Sequence, residues 1–329
     1  MGNSVRNKPE SQPTLSIVIP MFNESESIHN TVRVIEEKIN GLVETHEIIL
    51  VDDGSNDGTV EVCLKISLEN PNVRVFSIGN NVGHMRALET GLSAALGDYV
   101  VSIDADLQDN PEAIVEMYRL IKQRDSFGNK LFDVVQTVRT DRSSDKPTKR
   151  ITARIYYKLM EKLTGHKVLR DAADYRMITR ETLDIIKSIP EKDKVFRLLL
   201  PALGFRVAVL ETRREVRTAG KSKYSYRKMF GLALNSVINF SNRPLRIIIQ
   251  MGVASMLMMI IFCCYSVYLW TQNRTIPGWT SLVVLILISN SLILISLGVV
   301  GEYVGKIFEQ VKGRPNTVWT ELRNDQQNG

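Results

Sequence analysis

Two long uncharged apolar stretches near the carboxyl end limit what this 329-residue chain can fold into. Ile247 to Trp270 and Ser281 to Val300 contain no Asp, Glu, Lys or Arg. A helix that crosses a bilayer needs about 20 predominantly apolar residues, and both stretches reach that length. We therefore predict a hairpin of two transmembrane helices, joined by Thr271 to Thr280. The alternative is a core helix of a soluble protein, which rarely runs so far without a charge.

Positive charges flank this hairpin at its outer ends, whereas the short connection holds only Arg274. The flanking cations are Arg227, Lys228, Arg243, Arg246, Lys306, Lys312, Arg314 and Arg323. Because cytoplasmic flanks of membrane helices are enriched in Lys and Arg, both ends are expected in the cytoplasm. Met1 to Pro13 is polar and lacks the apolar core of a signal peptide. We thus expect a multi-pass protein of the inner (cytoplasmic) membrane, with both termini cytoplasmic.

The composition excludes several classes of protein. Hydrophobic residues make up 44% and charged residues 24%, as in a folded chain and unlike a disordered one. The net charge of +6 is spread along the chain, so no nucleic-acid partner is expected. The three cysteines have neither disulfide nor metal-ligand spacing.

Short β-rich apolar runs alternate with helical patterns in the first part of the chain. The runs are Leu15–Pro20, Glu47–Val51, Val73–Ile78, Tyr99–Ile103 and Asp133–Val138. Continuous apolar strands are typical of parallel sheets that helices cover on both faces. Ile28, Val32, Ile35 and Ile39 are spaced like one face of a helix. The pattern predicts an α/β, Rossmann-like, mostly parallel sheet with ligands at the carboxyl ends of its strands.

Polar residues follow several of these strands, and two carboxylates among them suit a metal ion. Asp104 and Asp106 are two residues apart after an apolar strand, so both side chains can point to one face. With the amide oxygen of Gln108 they offer hard ligands for Mg²⁺ or Mn²⁺. Chance alone predicts roughly four acidic-x-acidic pairs in such a chain, so the position after a strand carries the signal. An EF-hand is excluded, because Val115 stands where the closing Glu belongs.

Two further polar turns admit either a structural or a functional interpretation. Asp52-Asp53-Gly54-Ser55 and Asn23-Glu24 follow strands and make good turns or helix caps in any α/β protein. Their acidity beside the Asp104 pair favours a cation, because crowded carboxylates repel one another. The chain has neither GxGxxG nor GxxxxGK[ST], which argues against a nicotinamide enzyme and a P-loop NTPase.

Four ordered motifs make the chain similar to a known family. The motifs are IVIPMFNE from Ile17, VDDGS from Val51, NVGHMRALETGL from Asn81 and DADLQDNPE from Asp104. They resemble those of family 2 inverting glycosyltransferases with the GT-A fold. More narrowly, the chain resembles polyisoprenyl-phosphate glycosyltransferases, such as bactoprenol glucosyltransferases and dolichol-phosphate mannosyltransferases. The resemblance extends over about residues 14 to 320, nearly the whole chain.

The resemblance implies the residues that bind the nucleotide-sugar, which is linked to UDP or GDP. Positions that match the family's donor site are Pro20, Phe22, Glu24, Asp53, Asp104, Arg217, Ser222 and Lys223. The last three lie in an RTAGKSKYS segment that is expected to close over the diphosphate as a lid. Asp104, Asp106 and Gln108 match the family's metal-binding positions.

The resemblance also implies an acceptor site. Arg139 and Arg154 match arginines that hold the acceptor phosphate, although a solvated basic face is the simpler interpretation of such charges. Asp174 matches the Asp of a GDFRL-like segment, here with Ala173 for Gly and Tyr175 for Phe. A phosphate monoester, with a second pKa of about 6, needs little help from a base. The expected catalytic residues are therefore Asp104, Asp106 and Asp174, and the role expected of Asp174 is to orient groups or close the site.

The expected function is metal-dependent, inverting transfer of a single hexose from a nucleotide-sugar to undecaprenyl or another polyprenyl phosphate. It would take place at the cytoplasmic membrane face, for cell-envelope glycan synthesis, and glucose is the sugar we expect. The alternatives are a transferase for another lipid, such as diacylglycerol, and a non-catalytic adaptor of a flippase. The chain lacks the QxxRW element of processive synthases, so one sugar per lipid is expected.

The membrane hairpin is the expected surface for assembly into a homo-oligomer. The expected organisation of the chain has five parts. The parts are a disordered tail (1–13), a GT-A catalytic domain (14–212), a basic lid with an amphipathic interface segment (213–244), two transmembrane helices (245–304) and a cytoplasmic tail (305–329).

Overall fold

A computed structural model describes residues 13–139, 161, 172–191, 194–212, 243–272, 278–313, 315 and 317–322. Its strands are β1 (Leu15–Met21), β2 (His46–Asp52), β3 (Val73–Ile78), β4 (Tyr99–Ser102), β5 (Val134–Arg139), β6 (Ala172–Thr179), β7 (Val207–Thr212) and β8 (Trp319–Leu322). Its helices are α1 (Ile28–Ile39), α2 (Thr59–Glu69), α3 (His84–Ala94), α4 (Ala113–Ile121), α5 (Arg180–Ser188), α6 (Phe196–Ala202), α7 (Arg243–Thr271) and α8 (Trp279–Val311).

The eight strands form one sheet in the order β7-β5-β6-β4-β1-β2-β3-β8. Strand β1 lies between β2 and β4 and is parallel to both, so that Ile17 stands opposite Ile48 and Val101. Strands β2 and β3, and likewise β5 and β7, are parallel. Strand β6 runs antiparallel between β4 and β5, and β8 closes the β3 edge antiparallel. The α/β sheet, parallel in four of its seven described pairings, agrees with the predicted fold class.

All five predicted strands are present to within one residue at either end, and the predicted helical face is buried in α1. Strands β6, β7 and β8 were not predicted from the sequence. Strand β6 carries the charged residues Asp174 and Arg176, so its sequence lacks the apolar run of the others. Strand β8 has only four residues and lies at the sheet edge, where little of it is buried.

Alternating side chains of the central strands pack into two apolar layers, one on each face of the sheet. From β1, Leu15, Ile17 and Ile19 pack on one face with residues of α1, α2 and α4. Val18 points to the other face, where it packs with residues of α3, α5 and α6. The two-residue period of a strand explains why nearly every residue of β1 is apolar. This packing holds the carboxyl ends of the strands rigidly beside one another.

Strands β1 to β8 and helices α1 to α6 belong to one compact unit, and α7 and α8 belong to a second. Helix α7 has 29 residues and α8 has 33. Within the described chain, one stretch, Ile288–Phe308 in α8, is long and apolar enough to cross a membrane by length and composition. It begins seven residues later than the predicted span and ends eight residues later. The second predicted span, in α7, stays a prediction.

Candidate active site

An open cleft of about 310 Å³ lies at the carboxyl ends of β1, β2 and β4. The chain passes from β1 to β2 on one side and returns to β4 on the other, so the cleft lies where the strand order reverses. Open α/β sheets bind their ligands at such a point. The cleft is lined by Pro20, Met21, Phe22, Glu24, Asp53, Asn81, Gly83, His84, Ala87, Asp104, Ala105 and Asp106.

The loops after β1 and β2 are bound to each other by hydrogen bonds. Asn23, in the left-handed region at φ +57°, donates its backbone N–H to Ser55 Oγ at 2.9 Å. Its side-chain oxygen accepts from the backbone N–H of Asn56 at 3.0 Å. Glu24 donates its backbone N–H to Thr59 Oγ1 at 2.9 Å. The interlocked loops hold Phe22 at the rim of the cleft, where 44% of it is exposed.

Asp53 fixes the loop that precedes α3. The side chain is buried, and its two oxygens accept the backbone N–H groups of Val82 at 2.8 Å and Gly83 at 2.9 Å. Gly54 allows this approach, because it has φ +72° and a Cβ there would stand 2.7 Å from the backbone carbon of Asn80. Asp53, predicted to contact the nucleotide, lines the cleft and also shapes it.

The segment after β4 folds back on itself and orients Asp106. Leu107 is in the left-handed region at φ +52°, which is uncommon for a residue with a side chain. The turn brings the Gln108 amide Nε2 to Asp106 Oδ2 at 2.6 Å, where it donates a hydrogen bond. The carbonyl oxygen of Ala105 accepts from Thr31 Oγ1 at 2.7 Å, which ties the turn to α1. Gln108, predicted as a metal ligand, thus contacts Asp106 through its amide nitrogen.

Acidic side chains surround Asp104. Burial raises its pKa to about 6, and the nearby carboxylates of Asp109, Asp174 and Asp106 add to the effect, whereas His84 opposes it. A carboxyl group that is hard to ionise among other acids marks a place that a cation would stabilise. Of the chain that the structure describes, no group of three or more His, Cys, Asp or Glu side chains forms a metal cluster.

His84 is a site residue that was not singled out from the sequence. It is the first residue of α3, and its Nε2 lies 3.5 Å from Asp104 Oδ1 and 3.8 Å from Asp174 Oδ2. It lies within the NVGHMRALETGL motif, which was the available signal. His84 therefore links the segment after β4 to strand β6.

Asp174, a predicted site residue from a distant part of the sequence, lies beside these groups. Its Oδ1 accepts a hydrogen bond from Arg176 Nη2 at 2.6 Å. Arg139 is the last residue of β5. Arg154, Arg217, Ser222 and Lys223 lie outside the described residues, so their predicted roles stay predictions.

Comparison with known proteins points in the same direction as this geometry. The sequence profile of glycosyl transferase family 2 matches residues 16–186. An uncharacterised glycosyltransferase of Bacillus subtilis is 35% identical over 305 residues, which are 91% of each chain. A prophage-derived bactoprenol glucosyl transferase of Shigella flexneri is 34% identical over 92% of this chain and 96% of its own. A prophage bactoprenol glucosyl transferase homologue of Escherichia coli is 33% identical over 92% and 97%.

Two solved structures also align with the chain. Glucosyl-3-phosphoglycerate synthase from Mycobacterium tuberculosis, in complex with Mn²⁺ and UDP-glucose, is 19% identical with a TM-score of 0.49, over 69% of this chain and 77% of that one. A mannosyltransferase from Pyrobaculum calidifontis, in complex with GDP-mannose and Mn²⁺, is 17% identical with a TM-score of 0.46, over 72% and 66%.

The α/β sheet with a polar cleft at its switch point agrees with the fold class that the motifs predicted. The chain belongs to glycosyl transferase family 2 and is a glycosyltransferase. The predicted family and fold class are confirmed.

Proposed function

We propose that the protein transfers one hexose from a nucleotide-sugar to a polyprenyl phosphate, and that this hexose is glucose. One observation carries the proposal: the cleft that holds Asp104 and Asp106 occurs in a chain 33–34% identical, nearly end to end, to proteins named bactoprenol glucosyl transferase. The reaction is a single displacement, so the configuration at the transferred carbon inverts.

The donor occupies the part of the cleft between the β1 and β2 loops. Pro20 and Asp53 form its buried wall, and Phe22 offers an exposed ring at the rim. Glu24 lines the same space, with its backbone fixed through Thr59. Because hydrogen bonds hold these loops before the donor arrives, little conformational freedom is lost on binding.

The residues at the end of β4 fit a hard divalent cation, either Mg²⁺ or Mn²⁺. Asp104 and Asp106 would hold it, and Gln108 would keep Asp106 oriented through the 2.6 Å hydrogen bond. Two carboxylates and the phosphates of a substrate are a common donor set for Mg²⁺. Desolvation, together with the neighbouring carboxylates, raises the pKa of Asp104, and this is the observation that supports the fit. When bound, the cation stabilises the negative charge of the departing diphosphate.

The acceptor phosphate reacts at the side of the cleft where Asp174 lies. A phosphate monoester is largely dianionic at neutral pH, so no side chain has to remove a proton from it. Asp174 would instead orient the reacting groups, and Arg139 and Arg154 would bind the phosphate oxygens. Excluding water matters here, because water would otherwise accept the sugar.

Chain connectivity supports a membrane protein with an even number of crossings. Strands β7 and β8 belong to one sheet, so the chain leaves and re-enters that sheet on the same side of a membrane. Since Ile288–Phe308 is one candidate crossing, a second is required, and α7 is long enough at 29 residues. Met258 and Ile261 of α7 are 68% and 69% exposed, as lipid-facing side chains would be. The cationic flanks favour a catalytic domain and termini in the cytoplasm, and assembly through these helices stays a prediction.

The test is a panel of donors and acceptors. Purified full-length protein in detergent is incubated with labelled UDP-glucose, UDP-N-acetylglucosamine or GDP-mannose, and with undecaprenyl phosphate or diacylglycerol. The proposal predicts one labelled lipid product, formed from undecaprenyl phosphate and lost with EDTA. Labelled diacylglycerol, or no turnover of any donor, would contradict it. Asp104→Asn is the inactive comparison, and Glu37→Gln, an exposed carboxylate on α1, is the matched active one.

A further inference from the structure

A buried arginine lies directly behind the candidate site. The side chain of Arg176 on β6 is only 4% exposed. Burying a guanidinium is costly unless a partner compensates its charge, so its position needs an explanation. Its neighbours in the sheet are Ser102 of β4 and Gln136 of β5, which places it in the sheet interior.

Contacts with Asp174, Ala173 and Phe196 hold Arg176 in place. The two residues are two apart on one strand, so their side chains share a face of the sheet. Arg176 Nη2 donates to Asp174 Oδ1 at 2.6 Å and to the carbonyl oxygen of Ala173 at 3.2 Å. The guanidinium lies over the ring of Phe196, 4.7 Å from its centre, which limits its movement. These contacts restrict the guanidinium of Arg176 to one orientation relative to the carboxylate of Asp174.

The backbone of Asp174 is fixed as well. Ser102 Oγ donates to its carbonyl oxygen at 2.6 Å. One carboxylate oxygen is bonded to Arg176, and the other, Oδ2, faces His84 Nε2 at 3.8 Å on the cleft side. The same His84 nitrogen is 3.5 Å from Asp104. Arg176 thus holds one carboxylate oxygen of Asp174 from the core, while the other oxygen lies next to His84, a residue that lines the cleft.

We propose that Arg176 is a positioning residue, which fixes the carboxylate of Asp174 in the orientation that sugar transfer requires. The inference rests on the proposed function, because the role of Asp174 is itself part of that proposal. In this proposal Arg176 affects transfer through Asp174 and not through contact with the substrate. Its removal should therefore affect the rate of transfer more than the binding of the donor.

The first test compares two buried arginines. Arg176→Met should lower kcat about tenfold to a hundredfold, because a misplaced group costs that much, with the donor KM within about twofold. The control is Arg74→Met. Arg74 is also buried and ion-paired, with Glu47 and Glu321, but it lies at the opposite ends of the strands. Arg74→Met should lower the melting temperature but leave kcat, per folded molecule, within about twofold of the wild-type value. Equal losses of kcat in the two variants would overturn the proposal.

The second test is a double-mutant cycle. Asp174→Glu keeps the charge but displaces the carboxylate, so adding Arg176→Met to it should cost less than about threefold in kcat. The same loss in both backgrounds would mean that Arg176 does not act through Asp174. If Asp174→Glu is inactive, the comparison with Arg74→Met decides. If Arg176→Met does not fold, Arg176→Lys, which keeps the charge but not the planar fork, replaces it in both tests.

Asp174→Asn separates this inference from the proposed function. If Asp174→Asn turns over at the rate of the wild type, the role of Asp174 in the proposed function is wrong. If Asp174→Asn is inactive and Arg176→Met is fully active, only the positioning role of Arg176 is wrong.

Discussion

At the scale of the residue, the site combines groups that repel one another. Asp104 is half-buried near Asp106, Asp109 and Asp174, and the loss of solvent together with these carboxylates raises its pKa to about 6. At neutral pH the carboxylate is mostly ionised, in a place that favours its protonated form. The free energy of unfolding is therefore lower than it would be with a neutral side chain at this position. We interpret this loss of stability as arising because the site is built to bind a cation.

The destabilisation that ionised Asp104 causes has a defined pH dependence. The pKa of Asp104 is raised from its ordinary value of 3.8 to about 6 in the folded protein, so the fold binds this proton more tightly than the unfolded chain does. The associated stability is present at low pH and is lost as pH rises through about 6. In EDTA, Asp104→Asn should thus melt at a higher temperature than the wild type at about pH 8, and the difference should shrink at about pH 5.

The control for this measurement is Glu37→Gln, which should melt within the equivalent of about 0.5 kcal/mol of the wild type at both pH values. A destabilised Asp104→Asn at about pH 8 would show that the carboxylate contributes favourable contacts in the metal-free fold, contrary to our interpretation.

Two glycines with nearly the same φ angle allow a matched comparison. Gly54 and Gly41 have φ +72° and +73°, but only at Gly54 would a Cβ meet other atoms, at 2.7 Å from Asn80 and Asn81. Gly41→Ala should destabilise by about 1 kcal/mol, the cost of a side chain in this region. Gly54→Ala should lose roughly 1–3 kcal/mol more from overpacking, and should also weaken donor binding. Equal melting temperatures for the two variants would contradict the close approach of these loops.

At the scale of the element, five strands and the helix α1 could be predicted because hydrophobic periodicity is local. The resemblance to the family also implied that Asp104, Asp106 and Asp174 belong to one site. Strand β6 could not be predicted from its pattern, since the charged Asp174 and Arg176 interrupt its apolar run and are accommodated in the sheet by contacts with Ser102 and Phe196 of other elements. His84 was missed for a related reason, because its partners come from other elements.

The carboxyl-terminal strand β8 covers an edge of the catalytic sheet. Trp319 packs edge-to-face on Phe76 of β3 with ring centres 5.2 Å apart, and Glu321 pairs with Arg74. Trp319→Ala should therefore lower the free energy of unfolding by about 1–2 kcal/mol. Val318→Ala, one residue earlier and 78% exposed, should change it by less than about 0.5 kcal/mol. Thermal unfolding followed by circular dichroism checks both, and equal values would mean that β8 adds nothing to the sheet.

At the scale of the whole molecule, the pairing of β8 with β3 determines where the chain returns after α7 and α8. If α8 crosses a membrane, as we propose, this pairing requires the chain to return, after α7 and α8, to the side of the membrane where the sheet lies. The proposed multi-pass arrangement uses this return in addition to hydropathy, on which the prediction from the sequence rests. A membrane location also suits the proposed acceptor, because a long polyprenyl chain stays in the bilayer and the enzyme must reach it there.

Cysteine labelling tests this topology. In a chain whose own cysteines are replaced by serine, Gln272→Cys lies at the turn of the predicted hairpin and Val318→Cys next to β8. A membrane-impermeant thiol reagent added to spheroplasts should label the first and not the second until the cells are opened. Labelling of Val318→Cys in intact spheroplasts would contradict a cytoplasmic sheet.

The stereochemistry of the product tests the central claim most directly. The protein is incubated with the α-linked nucleotide-sugar that the donor panel selects and with undecaprenyl phosphate, and the lipid product is analysed by phosphorus and proton NMR. We expect a single phosphodiester-linked sugar in the β configuration, formed by the wild type and not by Asp104→Asn. An α-linked product, several sugars on one lipid, or an Asp104→Asn variant as active as the wild type would contradict the proposed mechanism.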